Sequence, residues 1–269
     1  MERLKKLLLR QPVPWPLPSG VAALGAWAAM LLLGGALVLA PGGPLQAYDP
    51  DCVEAIGPGA SLEGCDLSNL YLTGASLSGA QLDQANLESA NFSGADLSNA
   101  DLTLANLTGI YLESADLSNA SLLSADVLDG YLGSANLAGA DLTDADLFDA
   151  YLRSADLTDA TLVGADLVDV YLADALLDGA DLSNATLIDS YLGSAVLSEA
   201  NLNGANMWYA YLGQADLSNA DLTNADLTEA FLGGSTMTGA VVTGVTWSNT
   251  ICPDGTLSND NGGTCEGTW

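Results

Sequence analysis

The chain has 269 residues, a formal net charge of −29 and no histidine. So large an excess of carboxylates repels nucleic acid and anionic membranes and attracts basic partners. With no histidine, no lysine beyond Lys6 and no phosphate-binding loop, metal triad or nucleophile–base pair, neither catalysis nor a cofactor is expected.

Four of the five basic residues lie in the first ten, at Arg3, Lys5, Lys6 and Arg10. The uncharged apolar run Val21–Ala40 follows, broken by Pro41-Gly42-Gly43-Pro44 and then Leu45-Gln46-Ala47. This reads in two ways. One is a secretory signal cleaved after Ala47, although Leu45 is larger than the small residue preferred there. The other is a retained membrane anchor, because about 20 apolar residues span a bilayer. Basic residues stay cytoplasmic in both cases, so the rest of the chain is expected in the periplasm or cell envelope. Membrane contact is expected only through residues 21–40, if they are retained.

Between Ala60 and Asn249 one five-residue unit, Ala-(Asp/Asn/Tyr)-Leu-x-x, repeats 38 times without insertion or deletion. Leucine holds the central position except at Phe92, Val127, Met207, Met237, Val242 and Trp247. Leucines five apart wander around a helix and alternate faces of a straight strand, so neither element buries all of them. The chain must turn once per unit in one sense, which is a solenoid. A second period sets the coil. Tyr71, Tyr111, Tyr131, Tyr151, Tyr171, Tyr191 and Tyr211 stand 20 residues, or four units, apart; Phe231 continues the series and Asn91 interrupts it.

These units, as in Ala95-Asp96-Leu97-Ser98-Asn99 and Ala215-Asp216-Leu217-Ser218-Asn219, resemble the pentapeptide repeat family. The resemblance implies an all-β solenoid, a right-handed quadrilateral β-helix. It would have about 9.5 coils stacked about 4.8 Å apart. Central Leu and the Ala before it would point inward, and the other three positions outward. The expected domains are 1–47 (signal or anchor), 48–59 (N-terminal cap), 60–249 (β-helix) and 250–269 (C-terminal cap). The last of these resembles a tail of exported bacterial members, with Trp247 in the last leucine register as a plug for the core.

Four cysteines allow three pairings. On such a rod Cys52 and Cys65 lie at one end and Cys252 and Cys265 at the other. Because bridged Cα atoms lie within about 7 Å, the expected disulfides are Cys52–Cys65 and Cys252–Cys265, closing the ends where a solenoid frays.

The unbroken register lets every outward residue be assigned to a column. The residue after the central position is apolar in five consecutive coils, Leu128, Phe148, Val168, Ile188 and Trp208. It is polar before and after, as at Ser68, Glu88, Thr108, Thr228 and Ser248. Around one corner stand Tyr131, Tyr151, Tyr171, Tyr191 and Tyr211, and two residues beyond these rings the positions stay small at Gly133, Ala173, Gly193, Gly213 and Gly233. Together the two columns form a candidate interface of several hundred Å², for a homodimer or a protein partner. Asp129, Asp149, Asp169 and Asp189 run between them, with Asp126, Asp146 and Asp166 in parallel. They are read as solvated corner residues, with stacked carboxylates for calcium as the weaker reading.

The expected function is therefore a non-catalytic, extracytoplasmic structural or binding module. The alternative implied by the resemblance is an acidic rod that mimics DNA, as some members of the family that engage gyrase do. An exported location argues against it. No metal site is expected.

Overall fold

The computed structural model describes Leu32–Leu33, Ala36–Leu37 and residues 50–269. The signal or anchor expected at 1–47 lies outside the described residues, apart from two short antiparallel strands, β1 (Leu32–Leu33) and β2 (Ala36–Leu37). Among the described residues no helix is long and apolar enough to cross a membrane.

From Ser61 onward, outward residues pair in parallel with the residue 20 positions later, from Ser61 with Gln81 to Phe231 with Ile251. The reason is visible in the backbone, where one unit accounts for all five of its N–H groups. In the unit around Leu97, the leucine N–H donates to Asp116 O of the following coil at 2.7 Å, and Asn99 N–H to Ser118 O at 2.9 Å. Asp96 N–H donates to Ala75 O of the preceding coil at 2.9 Å, and Ala100 N–H closes a turn onto Leu97 O at 3.0 Å. The fifth, Ser98 N–H, is taken by the Asp96 carboxylate at 3.1 Å. Asp and Asn recur before the leucine because a short side-chain acceptor there satisfies the amide two residues on, an Asx turn.

The turn itself carries positive φ at its third residue, as at Asn99 (57°), Asp129 (54°) and Asp159 (56°), the type II geometry. The same conformation is imposed on Leu104 (58°) and Tyr209 (58°), residues that rarely adopt it. Closure of the coil overrides local preference at these corners.

This path turns the leucine and the alanine of each unit inward. Leu97, Leu117, Leu137, Leu157 and Leu177 are buried, as are Ala95 through Ala175 on the same face. The result is a right-handed quadrilateral β-helix with a continuous apolar core.

Each end is closed. At the start a short helix, α1 (Pro50–Glu54), is tied by the disulfide Cys52–Cys65, with Cα atoms 5.9 Å apart. At the finish Cys252–Cys265 joins Cα atoms 5.3 Å apart. Ile251 pairs in parallel with Phe231 and antiparallel with Leu257, which leads into a 3-10 turn (Ser258–Asn261). The Ser258 hydroxyl donates to the Trp247 carbonyl and accepts the Thr250 N–H at 3.1 Å. Thr250 Oγ1 donates to Leu227 O at 2.8 Å. Trp247 is buried under this tail, with the Trp269 ring 6.4 Å away. Ala240, Val242 and Val245, at inward positions of the last coil, remain only partly covered.

Candidate interaction surface

The strands bring the tyrosines into register before any side-chain preference acts, because each occupies the paired position of its coil. Tyr111 and Tyr131 stack at 5.1 Å, and Tyr151, Tyr171, Tyr191, Tyr211 and Phe231 form a second run with centroid spacings of 4.7 to 5.2 Å. Small residues beneath the rings are a geometric requirement. A Cβ at Gly193 would lie 2.8 Å from the Tyr191 ring, and one at Gly213 would lie 2.5 Å from the Tyr211 hydroxyl.

Where the small residue is missing, the ring goes elsewhere. Arg153 occupies the position two after Tyr151, and the Tyr151 ring lies against Gly133 of the preceding coil, 3.4 Å from where a Cβ would be. Arg153 interacts with the Tyr151 side chain, which raises the guanidinium pKa. It also reaches Asp174 Oδ2 of the next coil at 3.3 Å. Both side chains of that ion pair are half exposed, so it contributes little stability.

The apolar column is held by the same ladder. Asp129 N–H donates to Phe148 O, Asp149 N–H to Val168 O, Asp169 N–H to Ile188 O and Asp189 N–H to Trp208 O, at 2.9 to 3.1 Å. Phe148 and Trp208 are 40% and 42% exposed, whereas Leu128, Val168 and Ile188 are half-buried. In the tyrosine column Tyr131 is 40% exposed and Tyr151, Tyr171, Tyr191 and Tyr211 are half-buried. Other exposed apolar residues, such as Leu104, Leu123 and Leu176, stand elsewhere on the rod.

The two aspartate columns differ in role. Asp146 and Asp166 accept the N–H of Phe148 and of Val168, each at 3.0 Å, and Asn206 accepts that of Trp208 at 3.3 Å. They fix the backbone that presents the apolar side chains. Asp129, Asp149, Asp169 and Asp189 are the positive-φ corner residues. Among the described residues no group of three or more His, Cys, Asp or Glu is placed to hold a metal ion.

Burial raises the pKa of Tyr111, Tyr171 and Tyr191, with neighbouring tyrosines adding to it in each; Arg153 partly offsets the effect at Tyr171. A raised folded-state pKa gives stability that is present below the unfolded value of about 10 and is lost as pH rises through the folded value. Spectrophotometric titration is expected to show some tyrosines ionising above free tyrosine, with stability falling in the same alkaline range. Coincidence of every tyrosine with the free amino acid would contradict this.

The sequence model for pentapeptide repeats matches eight copies, at residues 59–88, 95–127, 131–164, 165–208 and 205–244. The chain is similar to HetL, a pentapeptide repeat protein involved in heterocyst differentiation regulation from the cyanobacterium Nostoc sp. strain PCC 7120. The two are 38% identical over 74% of this chain and 92% of HetL, with a TM-score of 0.65. QnrB1, a plasmid-mediated fluoroquinolone resistance protein, is 20% identical over 61% of this chain and 90% of its own, with a TM-score of 0.46. A pentapeptide repeat protein of the Arabidopsis thaliana thylakoid lumen is 28% identical over 47% of this chain and 67% of its own, with a TM-score of 0.17. No curated protein sequence matches the chain. The repeat, its pairing at every twentieth residue, the match to the pentapeptide repeat model and the similarity to HetL together place the chain in the pentapeptide repeat family.

Proposed function

We propose that this chain is a non-catalytic structural and binding module that works outside the cytoplasm and docks a protein on its mid-rod apolar and tyrosine face. The rod is read as about 9.5 coils of 20 residues. Residues 48–59 and 250–269 act as caps. The signal or anchor at 1–47 directs the chain to the periplasm or cell envelope.

The observation that carries the reading is the confinement of apolar side chains to one stretch of one column. A β-helix tolerates polar residues there, as Ser68, Thr108 and Thr228 demonstrate, so the run from Leu128 to Trp208 is not demanded by the fold. Exposed apolar surface of this kind marks an interface more often than chance. The disulfides support an oxidising compartment. The acidic rod also supports a second reading, mimicry of DNA toward a cytoplasmic DNA-binding protein, which the signal or anchor expected at 1–47 opposes.

The test pairs capture with a surface variant. Phe148→Asp with Trp208→Asp is expected to leave thermal unfolding unchanged, because both side chains project outward, and to abolish cross-linking to the partner captured by wild-type protein in the envelope fraction. Undiminished capture by a folded double variant would overturn the reading. Cytosolic, unprocessed protein on fractionation would favour mimicry instead.

A further inference from the structure

We propose that the occupant of the mid-rod face is an amphipathic α-helix of another protein, with one apolar stripe flanked by arginine or lysine. This rests on the reading that the face docks a protein, and it names the chemistry of what docks there.

Charge decides first between a second copy and a different partner. Beyond Ala47 the chain carries 33 acidic residues against Arg153 alone. A two-fold dimer through this face would bring like columns together, with Asp129, Asp149, Asp169 and Asp189 of one copy near those of the other. Like charges across an interface cost several kcal/mol and reject the wrong partner. A cationic partner meets the same columns with the opposite sign.

The chain also shows how a guanidinium sits on this surface. Arg153 is the one basic residue among those described, and it stands two residues beyond Tyr151, beside the tyrosine column. Its guanidinium reaches the Asp174 carboxylate of the next coil, 3.3 Å away. A flexible cation beside the tyrosines thus takes a corner carboxylate of the neighbouring coil. Asp189 stands two residues before Tyr191, as Asp129 does before Tyr131, so tyrosine and carboxylate recur side by side.

Spacing selects a helix over a strand. Coils repeat about every 4.8 Å along the rod, so the apolar run from Leu128 to Trp208 extends about 19 Å. A helix lying along the rod presents one side-chain row every 5.4 Å, near the coil repeat, and about 13 residues cover the run at 1.5 Å each. A strand laid the same way presents same-face residues every 6.6 to 6.8 Å and slips out of step within two coils. Phe148 and Trp208, the most exposed members of the run, would grip the apolar stripe, Trp208 at one end of the run and Phe148 one coil in from the other. The recognition mode is an amphipathic helix laid along an apolar column, with side rows of charge.

The test uses the full chain in non-ionic detergent and two 14-residue peptides. One alternates leucine and lysine at helical spacing, and its control carries glutamine at every lysine. The lysine peptide is expected to bind, to gain helix on binding, and to weaken as salt is raised. The glutamine peptide is expected to bind at least about tenfold more weakly, and so is the lysine peptide toward Phe148→Ser with Trp208→Ser. Equal binding of the two peptides, still lost in the double variant, would overturn the cationic helix while leaving the docking face intact. Salt-sensitive binding that ignores the double variant would instead overturn the docking face, leaving only diffuse attraction to an acidic rod. Absence of binding by both peptides, or a stable dimer broken by the double variant, would overturn the helix proposal directly.

Discussion

Leu167→Ala is expected to destabilise the rod by about 2–5 kcal/mol, the range for truncating a fully buried leucine. Leu167 is completely buried, and its unit is pinned to the next coil by its own N–H, which donates to Thr186 O at 2.7 Å. Backbone bonded on both sides cannot collapse into the space left behind, which places the cost toward the upper end. Stability in a stacked array is a sum of coil and neighbour terms, so the lesion also weakens communication between the halves. Denaturant unfolding should shift to a lower midpoint and broaden. The contrast is Leu104→Ala, where the side chain is 58% exposed at a positive-φ corner. That change should stay within about 0.5 kcal/mol. Equal losses at both sites would mean that the leucine ladder is not what holds the coils together.

The second large effect is expected at the C-terminus. Cys252→Ser with Cys265→Ser opens a loop of sequence separation 13, worth about 3 kcal/mol in the loop-entropy model. Both sulfurs are fully buried, and the loop carries Ser258, which ties Trp247 and Thr250 to the last coil. Losing the staple should therefore act locally. Amide exchange should quicken from the last coil to Trp269, Trp247 fluorescence should report a wetter site, and the coils around Leu147 should stay protected. Uniform acceleration along the rod would show that the ends and the middle unfold as one unit.

The interior was legible because a period of five without a slip leaves one way to bury leucine and alanine together. The 20-residue spacing of the tyrosines likewise fixed which residues pair. The aspartates that precede the leucine were legible only in outline. Composition suggests solvated groups, whereas Asp96, Asp146 and Asp166 each close the one backbone amide that the ladder leaves open. Positive φ at Leu104, Glu199 and Tyr209 was not legible, since nothing in those side chains favours it and only the closed coil demands it. Nor could the sequence show that the Tyr151 ring lies against Gly133 of the preceding coil. The apolar column was legible as a departure from pattern, but its uneven exposure, highest at Phe148 and Trp208, depends on side-chain size above a fixed backbone.

The most direct measurement is site-resolved photo-cross-linking. A photoreactive phenylalanine analogue is placed in turn at Phe148, Trp208, Thr103 and Ser218, all at the position after the central residue, the last two on other faces of the rod than the first two. Cross-links to the bound partner are expected from the first two positions and not from the others. Equal labelling from all four, or labelling only from Thr103 or Ser218, would contradict a docking surface confined to the mid-rod apolar and tyrosine face.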